Sequence, residues 1–82
     1  MSTEERIREF MTTNFYVPSG MELKPTTSFL DMGLIDSTGV LEVVSFLERE
    51  FAITIEDSEL VPENLDSIAN VSSFVDRKRG KL

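Results

Sequence analysis

Apolar residues at helical spacing occur in three stretches of the chain and predict three main helices. The clearest stretch runs from about Ser37 to Glu50, and its apolar stripe recurs every three to four residues: Val40, Val44, Leu47 and Phe51. A first helix is expected to begin near Ser2, which has capping-box spacing with Glu5. Its pattern ends by Pro18-Ser19-Gly20, where a turn is favoured.

The C-terminal third predicts a short helix followed by the last main helix. Residues Glu56–Leu60 are typical of one helical turn, with acidic residues where the helix dipole favours them, and Pro62 is expected to end it. The last helix is expected to begin at Asp66 or Ser67 and to stop near Gly80. Its apolar residues recur at helical spacing and face the predicted core: Ile68, Val71, Phe74 and Val75.

Residues 17–36 predict a long loop between the first and second helices, because Pro and Gly recur too often for a helix. The loop is nevertheless rich in apolar side chains, so we expect it to pack across the bundle, with one helical turn capped by Thr27 or Ser28. Residues Ala52–Ile55 predict an extended connector, since no second strand is available to pair with them. The expected fold is all-α: one domain over residues 1–82, with three main helices and one short helix.

The charge of the chain narrows the range of partners. The net charge is −7, and residues 31–66 hold ten acidic residues against Arg49 alone. Such a surface disfavours nucleic-acid binding, which needs basic side chains to displace counterions. It favours partners with basic surfaces, although an acidic surface also serves solubility alone. No apolar run approaches the length of a membrane span, so we expect a cytoplasmic protein that does not enter a membrane. We also expect it to be a monomer.

The composition also argues against catalysis and against a metal site. The chain has neither His nor Cys, which removes the commonest acid–base and metal-binding side chains. Asp31 and Glu42 have the spacing of the first and last ligands of an EF-hand loop. Gly33 and Ile35 occupy positions that must supply oxygen ligands, so no metal site is predicted. We therefore expect a protein that is not an enzyme.

Asp36-Ser37 is the most informative motif, because it places a hydroxyl at the start of the predicted second helix. Either side-chain oxygen could cap that helix. The run Gly33–Ser37 leads without a gap through Glu42 to an acidic patch that ends at Phe51. This chain resembles the acyl carrier and peptidyl carrier protein family over about residues 3–79, and these residues carry the resemblance.

The resemblance implies that Ser37 is esterified with 4′-phosphopantetheine and that Asp36 helps to present it. It also implies partner enzymes: a phosphopantetheinyl transferase, an acyl- or aminoacyl-loading ligase, and synthases or transferases with basic docking surfaces. The residues that the resemblance assigns to docking lie on the second helix and just beyond it: Thr38, Val40, Leu41, Glu42, Glu48, Glu50, Glu56 and Asp57.

The sequence departs from the commonest family pattern directly after the serine, where leucine is usual and this chain has Thr38-Gly39. Some carriers of amino acids, such as D-alanyl carriers, also lack that leucine. The expected function is an acyl carrier for fatty-acid, polyketide or related synthesis. The alternatives are an aminoacyl carrier loaded by an adenylating ligase and an acidic interaction domain without a prosthetic group.

Overall fold

The computed structural model describes residues 2–15, Val17 and residues 22–80, with Ser37 described by its backbone alone. These residues form four helices and no strand, as the sequence predicts: α1 (Thr3–Asn14), α2 (Ser37–Phe51), α3 (Pro62–Leu65) and α4 (Ile68–Lys78). A 3₁₀ turn, Asp57–Glu59, precedes α3. Helix α4 packs against both α1 and α3.

Helix α1 begins with the predicted capping box. The Ser2 hydroxyl accepts a hydrogen bond from the backbone N–H of Glu5 (3.1 Å), and the Glu5 carboxylate accepts one from the N–H of Ser2 (3.1 Å). This backbone N–H holds the pKa of Glu5 below its ordinary value. The helix ends at Asn14, and Pro18-Ser19-Gly20, which were expected to end it, lie outside the described residues.

One hydrophobic core joins all the helices. Ile7 and Met11 of α1 are fully buried, as are Ile68, Val71 and Val75 of α4. Helix α2 contributes Val43, Leu47 and Phe51, whereas its Val40 and Val44 are only half-buried against this core. Leu47 and Phe51 of the predicted stripe and Val43, which was expected to widen it, are therefore buried, whereas Leu41, also expected to widen it, is exposed.

The predicted helical turn is the 3₁₀ turn, which ends before Pro62, and Pro62 is also the first residue of α3, which the sequence analysis did not predict. A proline at the first helical position loses little, since its missing N–H would have no partner within the helix. The start of α4 is capped by Ser67, whose hydroxyl accepts from the N–H of Asn70 (3.1 Å). Asp66, the other candidate for this cap, has a different role.

Asp66 fastens the long loop to the junction of α3 and α4. Its carboxylate accepts hydrogen bonds from the Ser28 hydroxyl (2.5 Å) and from the N–H of Leu30 (2.9 Å), and its carbonyl accepts from the N–H of Phe29 (2.7 Å). A second fastening is the bond from the N–H of Ala69, in the first turn of α4, to the carbonyl of Pro25 (2.8 Å). The loop therefore packs across the bundle, as its apolar content predicts.

Ser28 also caps the turn that follows it in the loop. Its hydroxyl accepts from the N–H of Asp31 (3.1 Å), and its carbonyl accepts from the N–H of Met32 (3.1 Å). Thr27, the alternative cap, instead accepts a hydrogen bond from the N–H of Lys24 (3.0 Å). Phe29 and Ile35, at either end of this turn, are buried. Together these contacts hold the chain where it enters α2.

Candidate functional site

The start of α2 is capped by Asp36. Its carboxylate accepts a hydrogen bond from the N–H of Gly39 (2.8 Å), and its carbonyl accepts the first bond of the helix, from the N–H of Val40 (3.0 Å). Ser37 is the first residue of the helix, as the motif predicts, and its side chain lies outside the described residues. Of the two possible caps, the structure assigns Asp36.

The first turn of α2 has features that suit a phosphate ester. Among the described residues, the backbone N–H of Thr38 has no acceptor, and the positive end of the helix dipole lies here. A groove of about 350 Å³ adjoins this turn and is lined by side chains without a basic group: Asn14, Phe15, Gly33, Leu34, Asp36, Thr38, Gly39 and Glu42. A serine hydroxyl is a poor nucleophile without a neighbouring base.

A contact between Gly39 and Phe15 joins the end of α1 to the start of α2. Gly39 is buried, and a Cβ built on it would lie 3.0 Å from Cε1 of Phe15 and 3.4 Å from Cγ2 of Ile35. The aromatic ring thus occupies the space that a larger residue 39 would need. The sequence indicates only a smaller helix start at this position, because the partner ring lies 24 residues away along the chain.

An apolar pocket of about 140 Å³ lies on the opposite side of α2, between the loop and α3. Nearly all the residues that line it are apolar: Phe29, Leu30, Ile35, Val40, Leu60, Val61, Pro62, Leu65 and Asp66. Val40, a predicted docking residue, therefore contributes to this pocket and is only partly exposed. Thr38 and Leu41 are exposed on the surface, with Leu41 at 59%.

The predicted acidic docking residues of α2 differ in what they contact. Glu42 is exposed and has no ion pair with any described residue. Glu48 is half-buried, and its carboxylate accepts a hydrogen bond from the backbone N–H of Ile55 (2.9 Å). Glu50 forms an exposed ion pair with Arg6 (3.2 Å). Glu42 is thus the acid of this group whose carboxylate is most available to a partner.

The second acidic group lies at the 3₁₀ turn. Glu56 and Asp57 are exposed, as docking residues should be. The carboxylate of Glu59, in the same turn, accepts a hydrogen bond from the N–H of Glu56 (2.9 Å) and forms an ion pair with Lys78 (2.9 Å). The bond from Glu56 is the main reason that the pKa of Glu59 lies below its ordinary value, and Lys78 lowers it further.

The described part of the chain contains no cluster of three or more acidic side chains arranged to hold a metal ion. Among those same residues, no helix is both long enough and apolar enough to cross a membrane.

Comparisons with known proteins identify relatives of this chain. A family model described as "Phosphopantetheine attachment site" matches residues 5–75. Similar proteins include acyl carrier protein 3, chloroplastic, of Hordeum vulgare, 31% identical over 75 residues, which are 92% of this chain. The chain spans only 54% of the length of that barley protein.

Two bacterial relatives match over nearly their whole length. The acyl carrier protein of Solidesulfovibrio magneticus is 26% identical over 81 residues, covering 99% of this chain and 100% of the relative. The acyl carrier protein of Nitratidesulfovibrio vulgaris is 29% identical over 75 residues, covering 85% and 97%.

Proposed function

The chain belongs to the acyl carrier protein family, and from that premise we propose that it holds acyl groups as thioesters on an arm attached to Ser37. The prosthetic group of the family is 4′-phosphopantetheine, and its members carry acyl groups rather than catalyse. One observation carries the choice of Ser37: it is the first residue of α2, directly after the cap Asp36, within the matched residues 5–75.

This protein contributes to the modification by holding Ser37, which bears the hydroxyl, at the start of α2. The hydrogen bond from the N–H of Gly39 to the Asp36 carboxylate caps the first turn of α2. The N–H of Thr38, which has no acceptor among the described residues, favours a phosphodiester on Ser37. The groove beside the turn has no basic side chain, so a phosphopantetheinyl transferase must bring the base and the metal. Asp36 would assist by presenting the turn to that enzyme, in addition to its role as the cap.

We propose partners in fatty-acid, polyketide or related synthesis, which would receive the acyl group from the arm. The names of the relatives support an acyl cargo. The acidic surface supports partners with basic docking surfaces, and the predicted docking residues Thr38, Leu41 and Glu42 are exposed in the first turns of α2. We propose the cytoplasm as the compartment, although the barley relative is named as chloroplastic.

The second candidate is an aminoacyl carrier loaded by an adenylating ligase. The observation in its favour is Thr38-Gly39 in place of the usual leucine after the serine. Gly39 is buried against Phe15, so Thr38 is the residue of this pair that lies on the surface. An interaction domain without a prosthetic group is the third candidate, and the match to a phosphopantetheine attachment site weighs against it.

Intact mass after incubation with a broad-specificity transferase and coenzyme A tests the attachment. We expect the wild type to gain one arm and Ser37→Ala to gain none. Ser45→Ala is the matched control, since Ser45 is an exposed serine of the same helix, and it should be modified like the wild type. An arm on Ser37→Ala, or none on the wild type, would contradict the proposal. Loading the modified protein with acyl-activating or amino-acid-activating ligases then separates the two carrier functions.

A further inference from the structure

We propose that Asp66 is a positioning residue for the attachment site, because it holds the loop that leads into α2 in the arrangement that a modifying enzyme binds. This inference rests on the proposed function, since it concerns enzymes that act at Ser37. Asp66 lies between α3 and α4, 29 positions after Ser37 in the sequence. The sequence analysis gave Asp66 only as a possible start of α4, a role that Ser67 has.

Asp66 contacts three consecutive residues of the loop, and we call these three hydrogen bonds the loop anchor. One carboxylate oxygen, Oδ2, accepts from the Ser28 hydroxyl (2.5 Å), and the other, Oδ1, accepts from the N–H of Leu30 (2.9 Å). The backbone carbonyl of Asp66 accepts from the N–H of Phe29 (2.7 Å). Hydrogen bonds to an ionised carboxylate are stronger than those between neutral groups, so the side chain of Asp66 supplies a large part of the loop anchor.

The anchored residues belong to a closed turn that continues into the cap of α2. The carbonyl of Phe29 accepts from the N–H of Leu34 (2.9 Å), which closes the turn directly before Ile35. Ile35 is buried, and its Cγ2 lies 3.4 Å from the position that a Cβ on Gly39 would occupy. Asp36 follows and accepts from the N–H of Gly39 (2.8 Å). Because the turn is closed and leads directly into the cap, a displacement of its anchored residues would also displace the cap.

Burial alone does not set the orientation of this turn. Phe29 is fully buried, so its ring attaches the loop to the core. Apolar contacts are not directional, however, whereas a hydrogen bond weakens steeply when its angle departs from the preferred range. Leu30 and Met32, on the same turn, are about half exposed and add little apolar attachment. We therefore assign the orientation of the turn to the loop anchor and its attachment to Phe29.

Two other contacts hold the neighbouring parts of the chain. The bond from the N–H of Ala69 to the carbonyl of Pro25 (2.8 Å) joins backbone atoms before the closed turn begins. The ring of Phe15 packs against Gly39, which lies within α2 and therefore after the cap. The loop anchor lies between these two contacts along the chain and acts on the closed turn itself.

Loss of the loop anchor should change the fraction of molecules that are ready to bind an enzyme. Without it, the turn would populate several orientations, and only some of them would present the start of α2 in the bound arrangement. The apparent affinity of a partner falls in proportion to the fraction of molecules in the competent state. Once bound, the protein has the same arrangement as the wild type, so the rate of the chemical step should not change. Loss of the anchor should therefore raise KM and leave kcat unchanged.

Two variants of Asp66 separate hydrogen bonding from charge. Asp66→Ala and Asp66→Asn remove the same negative charge, but the asparagine amide can still accept from the N–H of Leu30 and donate to the Ser28 hydroxyl oxygen. Steady-state modification by a phosphopantetheinyl transferase is measured with the unmodified protein as the varied substrate. We expect Asp66→Ala to raise KM about five-fold at unchanged kcat, which corresponds to a competent fraction of about one fifth. Asp66→Asn should stay within about two-fold of the wild type.

Ser67→Ala is the matched structural control, because Ser67 is the neighbour of Asp66 and its hydroxyl bonds within α4. This variant should lower the free energy of unfolding through loss of a helix cap and leave KM unchanged. Ser28→Ala removes one donor of the loop anchor and should raise KM by less than Asp66→Ala, so it tests the proposal even if Asp66→Ala does not fold. Equal KM values for Asp66→Ala and Asp66→Asn, a comparable rise in Ser67→Ala, or no rise in Ser28→Ala would overturn the proposal.

Amide chemical shifts of the unmodified variants give the second readout. We expect Asp66→Ala to shift the amides of Asp36 and Gly39 more than Ser67→Ala does, because the closed turn connects the loop anchor to the cap of α2. Changes confined to residues 25–31 and 64–70 would overturn the positioning role while leaving the carrier function intact. A wild type that never gains an arm would overturn both proposals.

Discussion

The two ends of α2 are held in different ways. At its start, one carboxylate caps the helix and Gly39 lies beneath Phe15, while Leu41 and Glu42 remain exposed. At its end, Glu48 accepts from Ile55, and Phe51 lies between the guanidinium groups of Arg6 (5.9 Å) and Arg79 (5.5 Å). The first end leaves Leu41 and Glu42 available, whereas the second end uses Glu48 and Phe51 to hold the fold.

This difference shows that an acidic residue on α2 is not by itself a docking residue. Glu42 and Glu48 lie on the same helix, and both are predicted docking residues. Of these two, only Glu48 has a hydrogen-bond partner among the described residues, the backbone N–H of Ile55 in the connector after α2. Charge reversal should therefore affect binding at one position and stability at the other.

The largest expected effect comes from Glu48→Lys, which removes the acceptor of the half-buried N–H of Ile55. We expect a loss of about 1–3 kcal/mol in the free energy of unfolding, because that N–H is left without a partner. Glu48→Gln retains an acceptor oxygen and should lose less. Glu42→Lys, at an exposed position without a described partner, should change stability by about 0.5 kcal/mol or less. Urea unfolding followed by circular dichroism measures all three.

The same variants sharpen the assignment of docking. Glu42→Lys should slow modification by the transferase while the protein stays folded, and the loss should shrink at high salt, where charges are screened. Kinetics at two ionic strengths measure this effect. If Glu42→Lys were as destabilising as Glu48→Lys, or modified at the wild-type rate at low salt, the contrast between the two ends would be wrong.

A smaller effect is expected at Gly39, where helix propensity and packing oppose each other. Alanine is favoured over glycine in a helix by about 1 kcal/mol, but its Cβ would lie 3.0 Å from the Phe15 ring. We expect Gly39→Ala to stabilise the Phe15→Ala variant by at least about 0.5 kcal/mol more than it stabilises the wild type. A double-mutant cycle of unfolding free energies gives this coupling. Additive changes would show that the ring does not constrain the start of α2.

The smallest effect is expected at Ala52, which ends α2 in the left-handed conformation with φ 55° and ψ 46°. In the folded state, this conformation costs a residue with a Cβ about 1–2 kcal/mol, and glycine avoids that cost. Glycine also gives the unfolded chain more conformational freedom, which lowers the free energy of unfolding by about 0.4–1 kcal/mol. Ala52→Gly should therefore stabilise by about 0.5 kcal/mol. Ala69→Gly, in the first turn of α4, is the control and should destabilise. Thermal unfolding compares them, and destabilisation by both would contradict the prediction.

Local signals were sufficient for most of the secondary structure. The capping box at Ser2 and Glu5, the start of α2 at Ser37 and the end of α4 before Gly80 depend on residues a few positions apart. The position of the serine at a helix start depends on the same local signals. The resemblance to a carrier family, which the comparisons confirm, added the prosthetic group.

Contacts between distant residues could not be predicted in this way. Glu48 lies off the apolar stripe, so the sequence predicts a solvated carboxylate. In the structure, this carboxylate accepts a hydrogen bond from the backbone N–H of Ile55, seven residues further along the chain. Likewise, nothing in the spacing of Phe10 and Phe46 indicates that their rings stack. A proline can follow the end of one helix or begin the next, and its position in the sequence does not show which. Pro62 does both, because the 3₁₀ turn ends before it and α3 begins at it.

The hydrogen bonds that fasten the loop to Asp66 and Ala69 make the entrance to α2 depend on residues about thirty positions further along the chain. The amides of Phe29, Leu30 and Ala69 should therefore exchange with solvent as one cooperative unit. During synthesis, the loop cannot take up this arrangement until α4 has emerged and folded. We therefore expect a nascent chain that ends before Asp66 to be a poor substrate for attachment of the arm, so that only a completed domain is charged with cargo.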